Sequence, residues 1–153
     1  MKLMSTAFEN EGKIPIKYTC EGSNISPPLS WEGIPENAQV LSLVVDDPDS
    51  SSGKFVHWIL YNLPKVPAEL EEGASLSSRF SEGLREGINS FGEQGYNGPC
   101  PPRGDKEHRY VFHLFALRKK LNAGGRIKRD QLMALMAGKI IDKAQLMAKY
   151  RRI

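Results

Sequence analysis

The chain has 153 residues, of which 40% are apolar and 25% charged, and its formal net charge is +3. This composition is typical of one globular domain, and it excludes disordered and collagen-like sequences. The N-terminus lacks the apolar segment of a secretory signal, and the longest apolar run, residues 40–45, is far shorter than the ~20 residues of a membrane helix. We therefore expect one soluble domain over residues 1–153, a cytoplasmic location and no membrane-spanning segment.

Three segments in the first part of the chain have the pattern of β-strands. Residues 40–45 form a β-branched, apolar run between polar turns, and residues 55–63 form a second such run. In residues 108–117 apolar side chains lie on both faces, which indicates a strand in the centre of a sheet. The chain contains 14 glycines and 10 prolines, many of them in the turns that separate these segments.

One helix and one further strand are predicted near the C-terminus. Residues 130–137 have apolar side chains at helical spacing, with Asp130 as the N-cap and Gly138 ending the helix. Residues 140–150 alternate between apolar and polar side chains and are predicted to form a strand. The sequence therefore predicts a mainly β (α+β) domain with one or two short helices.

The charge is unevenly distributed. Residues 118–153 contain 11 Lys and Arg against 2 Asp and Glu, a local charge of +9, whereas residues 1–117 carry a charge of −6. Such a segment can bind nucleic acid or an anionic membrane surface. Its cations are not contiguous, however, because apolar residues lie between them. This pattern favours a solvated face, and we expect no nucleic-acid partner.

The chain has two cysteines, Cys20 and Cys100. Two cysteines cannot form a disulfide framework or a four-thiolate zinc site. The favoured interpretation is a buried reduced thiol at each position, and a single Cys20–Cys100 bridge is the less favoured alternative.

Two histidines lie close to the densest turn motifs. His57 follows an Asp-Pro-Asp motif at residues 47–49, and His108 follows the Gly-Pro-Cys-Pro-Pro motif of residues 98–102. The proline favours an extended residue before it, so Asp47 and Asp49 can lie on the same side of the chain. From spacing alone a turn and a satisfied core histidine would also explain these residues.

These four side chains are compatible with three kinds of site. They could hold zinc or iron with two Asp and two His ligands. They could contribute to a Ser-His-Asp hydrolase with Ser50, Ser51 or Ser52, although the Gly-x-Ser-x-Gly elbow is absent. In the third form, the histidines donate N–H groups to an anion, the carboxylates orient them, and backbone N–H groups near Gly98 complete the site. Such a pocket would bind its anion more tightly as the pH falls.

Several motifs together resemble the phosphatidylethanolamine-binding protein family, specifically its compact bacterial and archaeal branch. They are residues 18–22, 26–31, 46–49, 57–58, 62–64, 95–102 and 108–110, in that order along the chain. The resemblance spans almost the whole sequence. It implies an antiparallel Greek-key fold in which a large sheet packs on a smaller one, with a small anion pocket at one end.

The resemblance also implies the residues of that pocket and the kind of ligand they bind. The family's pocket residues correspond to Asp47, Asp49, His57, Gly98, Pro101, His108 and Tyr110. Family members bind phospholipid head groups, modulate the Raf kinase cascade, regulate flowering or inhibit serine proteases. We therefore expect a non-enzymatic, regulatory protein without a cofactor that binds phosphate or a phospholipid head group.

Further expectations follow from the resemblance and its departures. The resemblance implies a protease or kinase as a partner, and it implies a homodimer because short family members often pair. Phe55 replaces a tryptophan of the animal proteins, and the chain stops just after Tyr150, without their long C-terminal helix. Ligand size and kinase partnership are therefore not carried over. The alternatives are a metal-dependent hydrolase using the same Asp/His cluster and an inhibitor acting through a surface loop.

Overall fold

The computed structural model describes residues 1–75 and 84–153, and the strands in these residues form two sheets. The smaller sheet contains β1 (Lys2–Met4), β3 (Leu29–Glu32) and β6 (Glu69–Leu70), in the order β1-β3-β6. The larger sheet contains β2 (Gly12–Lys13), β4 (Val40–Asp47), β5 (Phe55–Leu63), β7 (Arg85–Glu86), β8 (His108–Leu117) and β9 (Ile140–Tyr150). Its order is β2-β9-β8-β4-β5-β7.

The three central strands of the larger sheet explain the apolar runs in the sequence. All eight residues of β4 are buried, and β8 lies between β4 and β9 in antiparallel register. The predicted bounds of β5, β8 and β9 are confirmed, but β4 continues to Asp47, two residues beyond the prediction. Because side chains alternate along a strand, this extension places Asp46 and Asp47 on opposite faces of the sheet.

Both faces of the larger sheet are covered by apolar residues. On one face Trp58 and Phe112 share a buried cluster with Trp31 of the smaller sheet. On the other face Leu132 and Met136 of the helix α1 (Arg129–Met136) belong to a second buried cluster. Each fully buried side chain of this size contributes about 1.5–3 kcal/mol of hydrophobic stabilisation. The predicted fold class, mainly β with a large and a small sheet, is confirmed.

The helix begins slightly earlier than its sequence signals indicate. Lys128 stands at the N-cap position, so the prediction of Asp130 as N-cap is wrong, and Asp130 instead lies in the first turn. There its carboxylate interacts favourably with the helix dipole. Gly138 follows the helix with a φ of +78°, as its predicted role in ending the helix requires. Within the described residues, no helix has the length and apolarity needed to cross a membrane.

Cys20 and Cys100 form a disulfide bond, so the favoured interpretation of two reduced thiols is wrong. Their loops already lie side by side, because the Cys20 N–H donates to the Pro99 carbonyl (3.1 Å) and the Tyr96 hydroxyl donates to the Tyr18 carbonyl (2.6 Å). The two Cα atoms are 5.4 Å apart, a spacing that a disulfide can bridge. Cys20 is exposed rather than buried.

Candidate anion-binding site

A small cavity of about 180 Å³ lies where β4 ends and where β5 and β8 begin. We call it the histidine pocket. It is lined by Asp47, Ser50, Ser51, Phe55, His57, Phe91, Cys100, Pro101, Pro102, Asp105, His108 and Tyr110. These residues include five of the seven predicted site residues.

The antiparallel sheet brings the pocket residues together from distant parts of the sequence. Asp47 pairs with Phe55 across β4 and β5, and Asp46 pairs with Val111 across β4 and β8. His108 and Tyr110 are two residues apart on β8, so their side chains lie on one face. The motif residues therefore converge because the strand ends that carry them are neighbours in the sheet.

His108 lies between two carboxylates. Its Nδ1 is 2.6 Å from Asp47 Oδ2 and its Nε2 is 3.0 Å from Asp105 Oδ2. Burial lowers the pKa of His108, but the hydrogen bonds to Asp47 and Asp105 oppose this effect and the net pKa is raised. The raised pKa favours an imidazolium whose two N–H groups both donate to carboxylates.

His57 has the opposite electrostatic environment. Burial lowers its pKa, and this effect outweighs the hydrogen bond to Asn97 and the nearby charge of Asp47. Its Nδ1 lies 2.6 Å from the Asn97 carbonyl oxygen. Since a carbonyl can only accept, Nδ1 carries the proton and the neutral ring has its lone pair on Nε2. The pocket thus combines a cationic donor with a neutral acceptor.

Tyr110 provides a donor that makes no hydrogen bond of normal geometry. Its hydroxyl oxygen is buried, and no described residue accepts from it at a normal distance and angle. Burial raises its pKa, and the charge of Asp47 together with a weak contact to that carboxylate raises it further, so the hydroxyl keeps its proton. An unsatisfied buried hydroxyl costs about 1–3 kcal/mol. An acceptor atom bound in the pocket would remove this cost.

Asp49 lies outside the pocket and interacts with Arg109. Its Oδ1 and Oδ2 accept from Arg109 Nη2 (2.8 Å) and Nε (3.0 Å), and Oδ2 also accepts from the Arg109 backbone N–H (2.8 Å). The hydrogen bond from Arg109 holds the pKa of Asp49 below its usual value. We predicted that Asp49 would orient a histidine. In the structure it attaches the β4–β5 loop to β8, and Asp47 alone of the pair contacts His108.

Gly98 lies behind the pocket rather than in its lining. Its N–H donates to Asn24 Oδ1 at 2.8 Å, so this N–H is not the ligand donor that the turn motif suggested. A Cβ at this position would lie 2.0 Å from the Tyr18 carbonyl oxygen. The glycine therefore allows two loops to pack closely, and this contact positions the Asn97 carbonyl that binds His57. Pro101 lines the pocket.

The sequence interpretation did not include two pocket residues, Asp105 and Phe91. Phe91 is 45% exposed and its ring lies 4.9 Å from that of Phe55 and 5.7 Å from that of His57. Asp105 directly follows Gly104 and lies three residues before His108. This position, beside a glycine turn and close to a candidate histidine, is the sequence signal that could have identified Asp105 as a pocket residue. Together they add an aromatic wall and a second negative charge.

The metal-site hypothesis requires Asp47, Asp49, His57 and His108 to direct ligand atoms at one point. Asp47, His57 and His108 share the pocket, but Asp49 faces Arg109, His57 Nδ1 binds a carbonyl, and both nitrogens of His108 bind carboxylates. Among the described residues, no three His, Cys, Asp or Glu side chains form a group that could hold a metal ion.

The fold and its polar pocket at the strand ends define a two-sheet β protein of the phosphatidylethanolamine-binding type. The family model "Phosphatidylethanolamine-binding protein" matches residues 4–151, and the chain belongs to this family. The chain is 42% identical over 152 residues to a UPF0098 protein of Methanothermobacter thermautotrophicus, with 99% of each chain covered.

Solved structures of relatives have the same architecture. The homologue CT736 from Chlamydia trachomatis superposes with a TM-score of 0.89 at 41% identity, covering 99% of this chain and 97% of that one. YbcL of E. coli, described as a member of the mammalian family, superposes with a TM-score of 0.92 at 27% identity, covering 99% and 98%.

Proposed function

We propose that this protein binds a small phosphate-containing anion, either free phosphate or a phosphomonoester head group, in the histidine pocket and has a regulatory rather than catalytic role. The buried, unpartnered hydroxyl of Tyr110 is the observation that carries the proposal. A phosphate oxygen is the acceptor that this hydroxyl lacks. The cavity of about 180 Å³ is smaller than the roughly 300–1,000 Å³ of a drug-sized ligand site, and this supports a head-group-sized ligand.

The pocket recognises such an anion through three groups with different protonation. Tyr110 donates its hydroxyl to one phosphate oxygen. His57, which is neutral, accepts a hydrogen bond at Nε2 from a protonated phosphate oxygen. His108 supplies positive charge, and its Nε2–H can donate to the ligand when Asp105 moves aside. Phe55 and Phe91 can contact an apolar part of the ligand near the opening.

This arrangement makes binding dependent on pH. A phosphomonoester has a second pKa near 6, so it gains a P–OH donor for His57 as the pH falls. The lowered pKa of His57 keeps its ring neutral over this range, so Nε2 remains free to accept from that P–OH. His108 keeps its charge until the pH rises through its raised pKa. Both the phosphate and the His108 titration favour binding at lower pH, and affinity is expected to rise from about pH 8 to about pH 6.

Calorimetric titration with phosphate and with phosphoethanolamine tests the proposal. Tyr110→Phe removes one hydrogen bond to a charged ligand and keeps the aromatic ring in place. The affinity for phosphate is expected to fall roughly 10- to 100-fold. The matched control is Tyr61→Phe, because the Tyr61 hydroxyl donates to the Gly124 carbonyl away from the pocket. Equal affinity of wild type and Tyr110→Phe would show that phosphate does not bind there.

Asp105 competes with the ligand for His108. Its carboxylate, 46% exposed, accepts from His108 Nε2 and adds negative charge to the pocket opening. Replacing Asp105 by Asn is expected to tighten phosphate binding about two- to fivefold, because an exposed charge pair contributes roughly 0.2–1 kcal/mol.

Glu107→Gln is the control for this prediction. Like Asp105→Asn, it removes one negative charge from the loop before β8, but Glu107 does not line the pocket. Weaker phosphate binding by Asp105→Asn in the calorimeter would contradict the competition and would make Asp105 part of the binding site.

A further inference from the structure

The larger sheet has a second polar depression on the face opposite the histidine pocket, beside α1. One cavity of about 210 Å³ is lined by Asp46, His113 and Phe115 of the sheet together with cationic residues. A second cavity of about 490 Å³ shares Lys54 and Arg129 with the first. We call these two adjoining cavities together the basic cleft.

Four cations and two carboxylates line the basic cleft, which leaves an excess of positive charge. These residues are Lys54, Lys128, Arg129 and Lys143, with Asp46 and Asp130. Of the four cations, only Arg129 forms an ion pair with a described residue, and its Nη1 lies 3.5 Å from Asp130 Oδ1. The Asp130 side chain is 98% exposed, so water screens this pair and it is weak. Lysines and an arginine at this density indicate an anionic ligand.

Arg129 provides an independent indication. Its Nε is buried and has no hydrogen-bond partner in the described part of the chain, although a quarter of the side chain is exposed. A buried N–H of a charged group is more costly to leave without a partner than a neutral one. The guanidinium fork matches two oxygens of a phosphate or carboxylate, and such a ligand would satisfy Nε.

The inner end of the cleft has different chemistry. Asp46 is buried, and its Oδ1 lies 3.3 Å from His113 Nε2, while Gln145 Nε2 lies 3.4 Å from His113 Nδ1. The Gln145 amide donates to Nδ1, so His113 Nε2–H donates to Asp46. A carboxylate and an amide accept hydrogen bonds from hydroxyl groups, whereas the Asp46 charge repels a second anion. The ligand therefore combines an anionic end with a neutral hydroxyl-bearing end.

We propose that the basic cleft binds a phosphorylated sugar or polyol, with its phosphate between Lys54, Lys128 and Arg129 and its hydroxyl groups toward Asp46 and Gln145. The start of α1 at Arg129 supports the position of the phosphate, because the first turn of a helix presents free backbone N–H groups. Phe115 and Met133 provide the apolar surface on which the carbon skeleton packs.

Binding of ribose 5-phosphate, ribose and inorganic phosphate, followed by calorimetry and by amide chemical shifts, tests this site. We expect ribose 5-phosphate to bind the cleft at least about tenfold more tightly than either part alone. Arg129→Gln and, separately, Lys54→Gln are expected to weaken that binding at least about tenfold. Arg118→Gln, an exposed residue of the same basic segment, should leave it unchanged.

The outcomes separate this site from the histidine pocket. Tyr110→Phe is expected to weaken the phosphate-induced amide shifts near the histidine pocket and to leave the shifts near Arg129 unchanged, so failure of one site does not imply failure of the other. Unchanged ribose 5-phosphate binding in both Arg129→Gln and Lys54→Gln would overturn the proposal that the basic cleft is a binding site. Equal binding of inorganic phosphate and ribose 5-phosphate at the cleft would overturn the assignment of a sugar or polyol.

Discussion

Replacing both Cys20 and Cys100 by alanine is expected to lower the free energy of unfolding by about 2–5 kcal/mol. The bond closes a loop of 80 residues, and without it the unfolded chain gains the entropy of that loop. Urea unfolding monitored by tryptophan fluorescence measures the change. Because Cys100 lines the histidine pocket, phosphate affinity is expected to fall as well.

The reductant dithiothreitol provides the internal control for the disulfide. It is expected to destabilise the wild type toward the value of the double variant and to leave that variant unchanged. If the wild type and the double alanine variant unfold at the same urea concentration, with equal slopes, the bond does not stabilise the native fold.

Replacing Gly98 by alanine is expected to reduce both stability and phosphate binding. The added Cβ would lie 2.0 Å from the Tyr18 carbonyl oxygen and 2.9 Å from Asn24 Oδ1. A backbone carbonyl cannot rotate away as a flexible side chain can, so the two loops must separate. Overpacking of this kind costs about 1–3 kcal/mol or more. Separation of the loops also moves the Asn97 carbonyl from His57, and phosphate binding weakens.

Gly125→Ala is the matched control for Gly98→Ala, because its Cβ would lie more than 4 Å from every described residue except its two neighbours in the chain. Urea unfolding and calorimetric titration on both variants test the prediction. A Gly98→Ala protein as stable as the Gly125→Ala protein would mean that the contact with Tyr18 does not restrict this position.

The sequence predicted best those elements whose environment is uniform along their length. β8 has apolar residues on both faces because it lies inside the sheet, and its bounds follow from that pattern alone. β4 was predicted two residues too short, because Asp46 and Asp47 resemble the beginning of a turn. They remain in the strand because each has a histidine partner, His113 and His108, more than sixty residues away.

The location of the pocket could also be predicted, but the roles of its residues could not. Asp47 and Asp49 are equivalent in the motif, yet Asp47 binds His108 and Asp49 binds Arg109. His57 and His108 have the same ordinary pKa and are shifted in opposite directions by burial and by neighbouring carboxylates. These differences depend on contacts between residues distant in sequence, and no local pattern records them.

The shortness of the outermost strands has a consequence for assembly. In the described residues, β2 and β7 border the larger sheet and each has only two residues. Among the described residues, β2 pairs only with Ala148 and Lys149 of β9, so most of this eleven-residue strand has no strand on its outer side. A second copy that continued the sheet would therefore form its backbone hydrogen bonds along this open part of β9, and not along the short β2 or β7.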